Sequence, residues 1–446
     1  MKKTTLLLML VTAIVLGVSI SVINEYKVCE ADGFTVCFDE EKRSFIVEEN
    51  ASLTVYVKNN EQKDFLLNKL TREILDYKLD INVLIKPKAT AWQAVYEEDV
   101  DILYMPLQEA AMMHEYLMEI DERIINLRSH QGIEHITEVI NKDKKVFLPT
   151  TYQGQLFVYN LTLLESLGFD IQDVDEKNRV RELNSWDKII RLSQAYKEDL
   201  PLQKVHSVFP FSVSEPWQFY PYLTAGNWQM FESMDASDPG FLTSDFFQSL
   251  LFVKKLFDNE WYYNSMDERS WNYEHALINQ ASLMSIATEW LNWEDIAQYT
   301  NQQYQYSAFP DHNNVPLAPL VQVSGLVVKD NEYPSLSHKI ISVLNSLESV
   351  QILHDSTSLN LVVGLDELTQ VNFNPARHQK SLAYSYSDVQ PLVALEKNPE
   401  VLGWDFYLQG DMFEVVLRLF EDEITTEQAQ AELVELYNTW YNQYNR

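Results

Sequence analysis

The sequence predicts an α/β protein of two lobes, each a mostly parallel sheet flanked by helices. Its 446 residues, 46% of them hydrophobic, are too many for one core. Single cores stop growing near roughly 250–300 residues, and longer chains divide. From Ser52 onward, apolar strand-like runs alternate with amphipathic helical runs. That alternation is the pattern of a parallel sheet with helices on its faces.

Residues 24–48 are charged and lack a clear period, so they are expected to form a tether. Leu53 to Val57 reads as a strand. Gln62 to Tyr77 follows as an amphipathic helix, with Phe65, Leu66, Lys69, Leu70, Glu73 and Ile74 tracing one stripe. Ile81 to Ile85 and Asp101 to Met105 are the next strands, the second reached through a helix containing Trp92 and Val95. In open sheets of this kind, ligands bind outside the carboxyl ends of the strands.

A second unit opens near Phe147-Leu148-Pro149. Leu156 to Asn160 is a strand, and Leu161 to Leu167 a short helix stopped by Gly168. Asn184-Ser185-Trp186-Asp187 is a helix start, with Ser185 as N-cap and Asp187 complementing the first turn. Helices are predicted around Ser244–Asn259, Tyr273–Asn279 and Ser337–Leu347, and strands over Gln305–Phe309 and Val321–Val328. The last helix is opened by Thr425, with Gln428 in capping-box spacing. There is no internal repeat and no low-complexity tract.

Lys and Arg number 34 against 66 Asp and Glu, a formal charge of -32. Such a surface repels phosphate backbones and anionic lipid, which excludes nucleic acid as a partner. Met1-Lys2-Lys3 followed by the uncharged, mostly apolar run Leu6 to Ile23 reads as an export signal or a short membrane anchor. Cleavage after Ser21 would fit the small residues Ser19 and Ser21. The lysines place everything beyond Ile23 outside the cytoplasm. Cys29 and Cys37 are the only cysteines. In an oxidising compartment they could close a small loop, and lipidation of Cys29 is the competing reading.

Absent motifs narrow the chemistry. With 11 glycines and none closer together than Gly403 and Gly410, neither a dinucleotide-binding fingerprint nor a P-loop can form. No H-E-x-x-H occurs, and His130 and His135 are spaced for different faces of a helix. No G-x-S-x-G elbow is present, and no cysteine lies in the globular part to act as nucleophile. No metal, no cofactor and no catalytic residue is expected. A pair of carboxylates could serve glycoside hydrolysis, but 66 acids guarantee chance pairs.

Aromatic residues crowd Trp217 to Trp228, then Trp261 to Tyr273, then Trp290 and Trp293. Most large aromatics belong to cores. A carbohydrate site would pair flat platforms with polar acceptors, as Glu215 stands before Pro216-Trp217 and Glu289 before Trp290.

Four ordered segments resemble the extracellular solute-binding family of ABC transporters that includes the maltose/maltodextrin-binding proteins. They are the opening that ends in Asp101-Ile102-Leu103-Tyr104-Met105-Pro106; Leu148 to Gly154 with Val158-Tyr159-Asn160 and Ser185-Trp186-Asp187; Leu283-Met284-Ser285-Ile286 before Glu289-Trp290; and Tyr306 to Pro310 with Val323 to Val328. The likeness runs from about Ser52 to the C-terminus.

The resemblance implies a periplasmic-binding-protein-like fold with a hinge between its lobes and solute held in the cleft. It places one lobe at 49–150 plus 311–365 and the other at 151–310 plus 366–446. It also implies ligand-binding roles for Asn60, Glu61, Gln108, Gln153, Glu215, Trp217, Trp271, Trp290 and Trp404. Gln153 and Gln108 stand where maltose-type members often carry an acid. The expectation is therefore a monomeric, extracytoplasmic, non-enzymatic receptor that passes a carbohydrate or other polar solute to ABC permease subunits. The alternatives are a membrane-anchored sensor for a signalling kinase and an exported glycoside hydrolase.

Overall fold

The computed structural model of the chain describes residues 29, 35–74, 82–87, 99–127, 144–199, 205, 207–211, 216–230, 237–258, 273–288, 293–357, 359–385, 390–391, 404–408 and 411–445. The expected signal or anchor at 1–23 and the helix around Trp92 lie outside these residues. Among the described residues no helix is long and apolar enough to cross a membrane.

A hairpin comes first, β1 (Phe38–Asp39) pairing antiparallel with β2 (Ser44–Phe45). β3 (Ser52–Val57), α1 (Asn60–Ile74), β4 (Asn82–Pro87) and β5 (Ile102–Pro106) follow. β3 pairs in parallel with both β4 and β5, as the alternating pattern predicts. α1 lays Phe65, Leu66 and Leu70 into the core, where Val55, Val57 and Ile102 are also buried. α2 (Leu107–Met112) and α3 (Glu122–Ile125) then lead to β6 (Leu148–Asn160).

Beyond β6 come α4 (Leu161–Ser166), α5 (Trp186–Asp199), α6 (Pro216–Leu223), α7 (Ser244–Asp258) and α8 (Tyr273–Ile278). β7 (Met284–Thr288), α9 (Trp293–Thr300) and β8 (Tyr304–Ser307) complete this stretch, and β9 (Leu320–Val328) rejoins β5. The remainder is α10 (Pro334–Leu344), α11 (Leu347–Ser356), β10 (Asn360–Leu361), α12 (Leu365–Leu368), α13 (Pro375–Ser385) and β11 (Gln390–Pro391). Three helices end the chain: α14 (Trp404–Leu408), α15 (Asp411–Phe420) and α16 (Thr426–Tyr444). Thr425 and Gln428 form the predicted capping box on α16.

The main sheet runs β10-β6-β9-β5-β3-β4, with β11 on β9 and both β7 and β8 on β6. Mostly parallel it is not. Among the described pairs of this sheet three are parallel and five antiparallel. Apart from the short β9–β11 pair, only the opening strand–helix–strand unit runs parallel among the described residues. β6 and β9 travel between the two halves of the molecule and oppose every neighbouring strand they meet except β11.

β6 is the longest strand, and it serves both halves. Its first residues, Leu148 to Gly154, pair with β9, and Gln155 to Asn160 pair with β7 and β8. The change of partner thus falls at Gly154/Gln155, inside the strand. Two glycines permit the close approach of β6 and β9. A Cβ on Gly154 would lie 2.6 Å from the Leu320 carbonyl oxygen, and one on Gly325 would lie 2.3 Å from that of Leu148. Around β10, Val350 and Leu361 pack with Leu368 and Val371 in a small apolar cluster.

The expected tether is folded from residue 35 onward. Phe45 and Val47 are buried, and the Glu48 carboxylate, wholly buried, accepts the backbone N–H groups of Ser335 (2.6 Å) and Leu336 (2.9 Å). Those are orphan donors in the first turn of α10, whose N-cap Tyr333 supplies no side-chain cap. Cys29 and Cys37 form a disulfide beside this turn, and the Cys37 N–H donates to Ser335 Oγ at 2.9 Å. A Cys29 sulfur held in that bond has no valence for a lipid thioether.

In the second half, Trp186 is fully buried at the start of α5. Its ring meets Phe157, Phe209, Tyr222 and Phe252 edge-on, with centroids 5.0–6.1 Å apart, within the range where such pairs attract. Arg179, also buried, bridges Asp175 (2.8 Å) and Asp311 (2.7 Å) and pins the 175–185 loop to the segment after β8.

Candidate functional site

The carboxyl ends of β3 and β5 point toward the β6–β9 crossing. Pro106, the last residue of β5, is paired with Ser324 of β9, and Gln322 is paired with Gln153 of β6. Two residues of strand cover about 7 Å, so these two glutamines sit just past the end of β5. Both are exposed, whereas Tyr152 and Gly154 beside Gln153 are buried. Directly opposed residues lie on the same face with Cβ atoms about 5 Å apart. The crossing therefore presents two neutral amides side by side to solvent.

The first half contributes the loop between β3 and α1. Asn59 caps α1 by accepting the Gln62 N–H at 2.9 Å. Gln62, fully buried, accepts the Lys58 N–H at 2.9 Å and donates its Nε2 to the Tyr104 hydroxyl at 2.5 Å. Lys58 Nζ stands 5.0 Å from the centre of the Tyr104 ring. Burial lowers its pKa from the usual lysine value. A partly desolvated ammonium thus stands over the Tyr104 ring at a strand exit.

Asn60 and Glu61, the residues expected here, occupy the exposed first turn of α1. Gln108 is half-buried in α2, immediately after β5. These three and Gln153 thus gather at one end of the first half. Lys58 and Gln322 went unnoticed in the sequence. Lys58 directly follows the strand's last buried residue, a position that could have flagged it. Gln322 interrupts an apolar strand and pairs with a residue already suspected.

From the second half, α6 supplies Trp217, half-buried against the core, and Gln218, 7% exposed. Among the described residues the other aromatics of these runs are core: Phe219, Tyr220, Tyr222 and Trp228 are buried, as is Trp293 beside Tyr304. α14, which opens with Trp404, docks on α6 through a hydrogen bond from the Tyr407 hydroxyl to the Pro216 carbonyl and the Tyr407–Tyr220 ring contact. The helices bearing Trp217 and Trp404 are therefore neighbours. Glu215, Trp271 and Trp290 lie outside the described residues.

This arrangement is suited to holding a polar solute, since amides, a partly buried ammonium and a partly open indole are binding groups. Among the described residues no group of three or more His, Cys, Asp or Glu side chains could hold a metal ion.

Compared by sequence, the chain matches no family model and no curated protein. In structure it is similar to the maltose-binding periplasmic protein of Listeria monocytogenes, solved in complex with maltose. The TM-score is 0.63 at 14% sequence identity, over 88% of this chain and 98% of that one. The architecture is the two-lobed α/β fold of a periplasmic binding protein, here with its crossing strands identified as β6 and β9.

Proposed function

We propose that the chain is an extracytoplasmic receptor that binds a carbohydrate between its lobes and delivers it to the permease of an ABC importer. The single observation that carries this reading is the row of polar side chains at the β6–β9 crossing, set in a fold similar to that of a maltose-binding protein. Gln153, Gln322 and Lys58 would hydrogen-bond sugar hydroxyls, and Trp217 would cover an apolar sugar face. Asn60, Glu61, Gln108 and Glu215 would supply further polar contacts, and Trp271, Trp290 and Trp404 further platforms. The lobes would divide near 49–150 plus 311–365 against 151–310 plus 366–446 and close about β6 and β9 by hinge motion. No catalytic step is assigned.

A thermal-shift panel of mono- and oligosaccharides, maltose included, tests the reading on the full chain. A ligand at 100 times its Kd adds about 2.7 kcal/mol of stability, a clear rise in Tm. Trp217→Ala should abolish the rise produced by a binding sugar. A folded protein whose Tm no sugar raises would refute the carbohydrate assignment.

A further inference from the structure

Gln155 is 1% exposed, and neither its side-chain oxygen nor its side-chain nitrogen has a hydrogen-bond partner among the described residues. Leaving such a group unpaired in the interior costs about 1–3 kcal/mol, so native proteins rarely tolerate it without a reason. Its place in the fold supplies one. Strand alternation puts Gln153, Gln155 and Phe157 on one face of β6. Gln153 is exposed and Phe157 fully buried, so this row runs from solvent into the core, with Gln155 at the step between. Its register partner is Thr288, the last residue of β7, and in α/β sheets solutes sit beyond strand ends.

A second buried amide faces the same question. Gln218 also has its side-chain oxygen unpartnered among the described residues. It lies one helical turn before Tyr222, whose ring packs on Trp186 and Phe209, and those two rings in turn pack on Phe157. Gln155 on the strand and Gln218 on the helix thus each precede one aromatic cluster by a single repeat. Gly154, next to Gln155, is where β6 changes partner strands.

We propose that the Gln155 carboxamide is the innermost hydrogen-bonding group of the solute site. Where the solute meets this amide, it favours a hydroxyl over a carboxylate or phosphate. A hydroxyl can donate to Oε1 and accept from Nε2 at once, which satisfies both idle atoms. An anionic group could use only the nitrogen, and the oxygen beside it would repel it. Gln153 and Phe157, which flank it on this face, bring no cation to offset the buried charge. This inference rests on the receptor reading above and assigns the ligand chemistry of that same site.

The test compares wild type, Gln155→Leu and Gln155→Met as full chains, by melting temperature without ligand and by calorimetric titration. The probes are neutral sugars (glucose, maltose, maltotriose) and two anions, glucuronate and glucose 6-phosphate. An idle amide predicts variants that melt at or above the wild-type Tm without sugar. They should also bind the neutral sugar at least about tenfold more weakly. Unchanged sugar affinity in both variants would overturn the proposal and leave the receptor reading intact. Variants that melt well below wild type would overturn it too, because the amide would then be partnered within the protein. Preference of the wild type for an anionic probe would refute the assigned chemistry. If no neutral sugar binds wild type, the carbohydrate reading fails, and this inference with it.

Discussion

Gln153 of β6 and Gln322 of β9 oppose each other, both exposed, in the strand pair that joins the two halves of the molecule. Neighbouring positions on these strands are buried and apolar, so the two amides contribute little to packing. They are expected to matter for binding. Gln153→Leu and Gln322→Leu should each weaken a binding sugar by about two- to tenfold, the value of one hydrogen bond. Stability without ligand should change by no more than about 0.5 kcal/mol, as for other surface substitutions. Titration calorimetry with parallel melting curves separates the two effects.

Gly154 should tolerate no side chain. Its Cβ would meet the Leu320 carbonyl at 2.6 Å and Val321 Cγ1 at 2.7 Å, and the first of these is backbone. Gly154→Ala is expected to cost about 1–3 kcal/mol through overpacking at the crossing. Urea denaturation would register this as a lower midpoint.

The Glu48 clasp gives a stability prediction remote from the site. Glu48→Ala removes the acceptor for two buried N–H groups at the start of α10 and should cost about 1–3 kcal/mol. Removing the Cys29–Cys37 disulfide by Cys37→Ser should cost about 2–4 kcal/mol. Both changes release the same segment, so the double variant should lose less than the sum. Thermal melts of the two single variants and the double variant decide it.

Asp175 is expected to contribute to the acid limb of stability. Burial works to raise its pKa, but hydrogen bonds from Arg179 and Asn184 and the Arg179 charge outweigh it and hold the carboxyl below its ordinary value of 3.8. A folded-state pKa below the unfolded one stabilises above about pH 3.8, and that contribution is lost as pH falls through the folded value. Asp175→Asn leaves Arg179 with Asp311 alone and should cost about 1–3 kcal/mol near neutral pH. The gap from wild type should narrow below pH 3.8. Denaturation curves collected between pH 3 and 7 would show it.

Much of the fold was legible in the chain because its period is strong. α1, α7, α16 and strands β3, β5 and β9 stand within a few residues of where alternation and capping predict them. The first part of β6 was hidden. Pro149, Gly154 and the polar residues Thr150, Thr151, Gln153 and Gln155 disguise a strand that changes partners midway, and an irregularity between Pro149 and Thr151 accommodates the proline. The hairpin at 38–45 was missed because its anchor is Glu48, a charge whose partners lie nearly three hundred residues away. The site was legible only in part. Gln153 and Trp217 could be singled out by neighbours in sequence. Lys58 and Gln155 acquire meaning only through what surrounds them, a tyrosine ring in one case and the lack of a side-chain hydrogen-bond partner among the described residues in the other.

The most direct measurement is a structure of the full chain with the sugar that most raises its Tm. The account predicts one sugar at the β6–β9 crossing, hydrogen-bonded to Gln153 and Gln322, with Trp217 against a ring face and the Gln155 amide satisfied by a hydroxyl. A sugar bound elsewhere on the surface, with these four side chains unengaged, would contradict it.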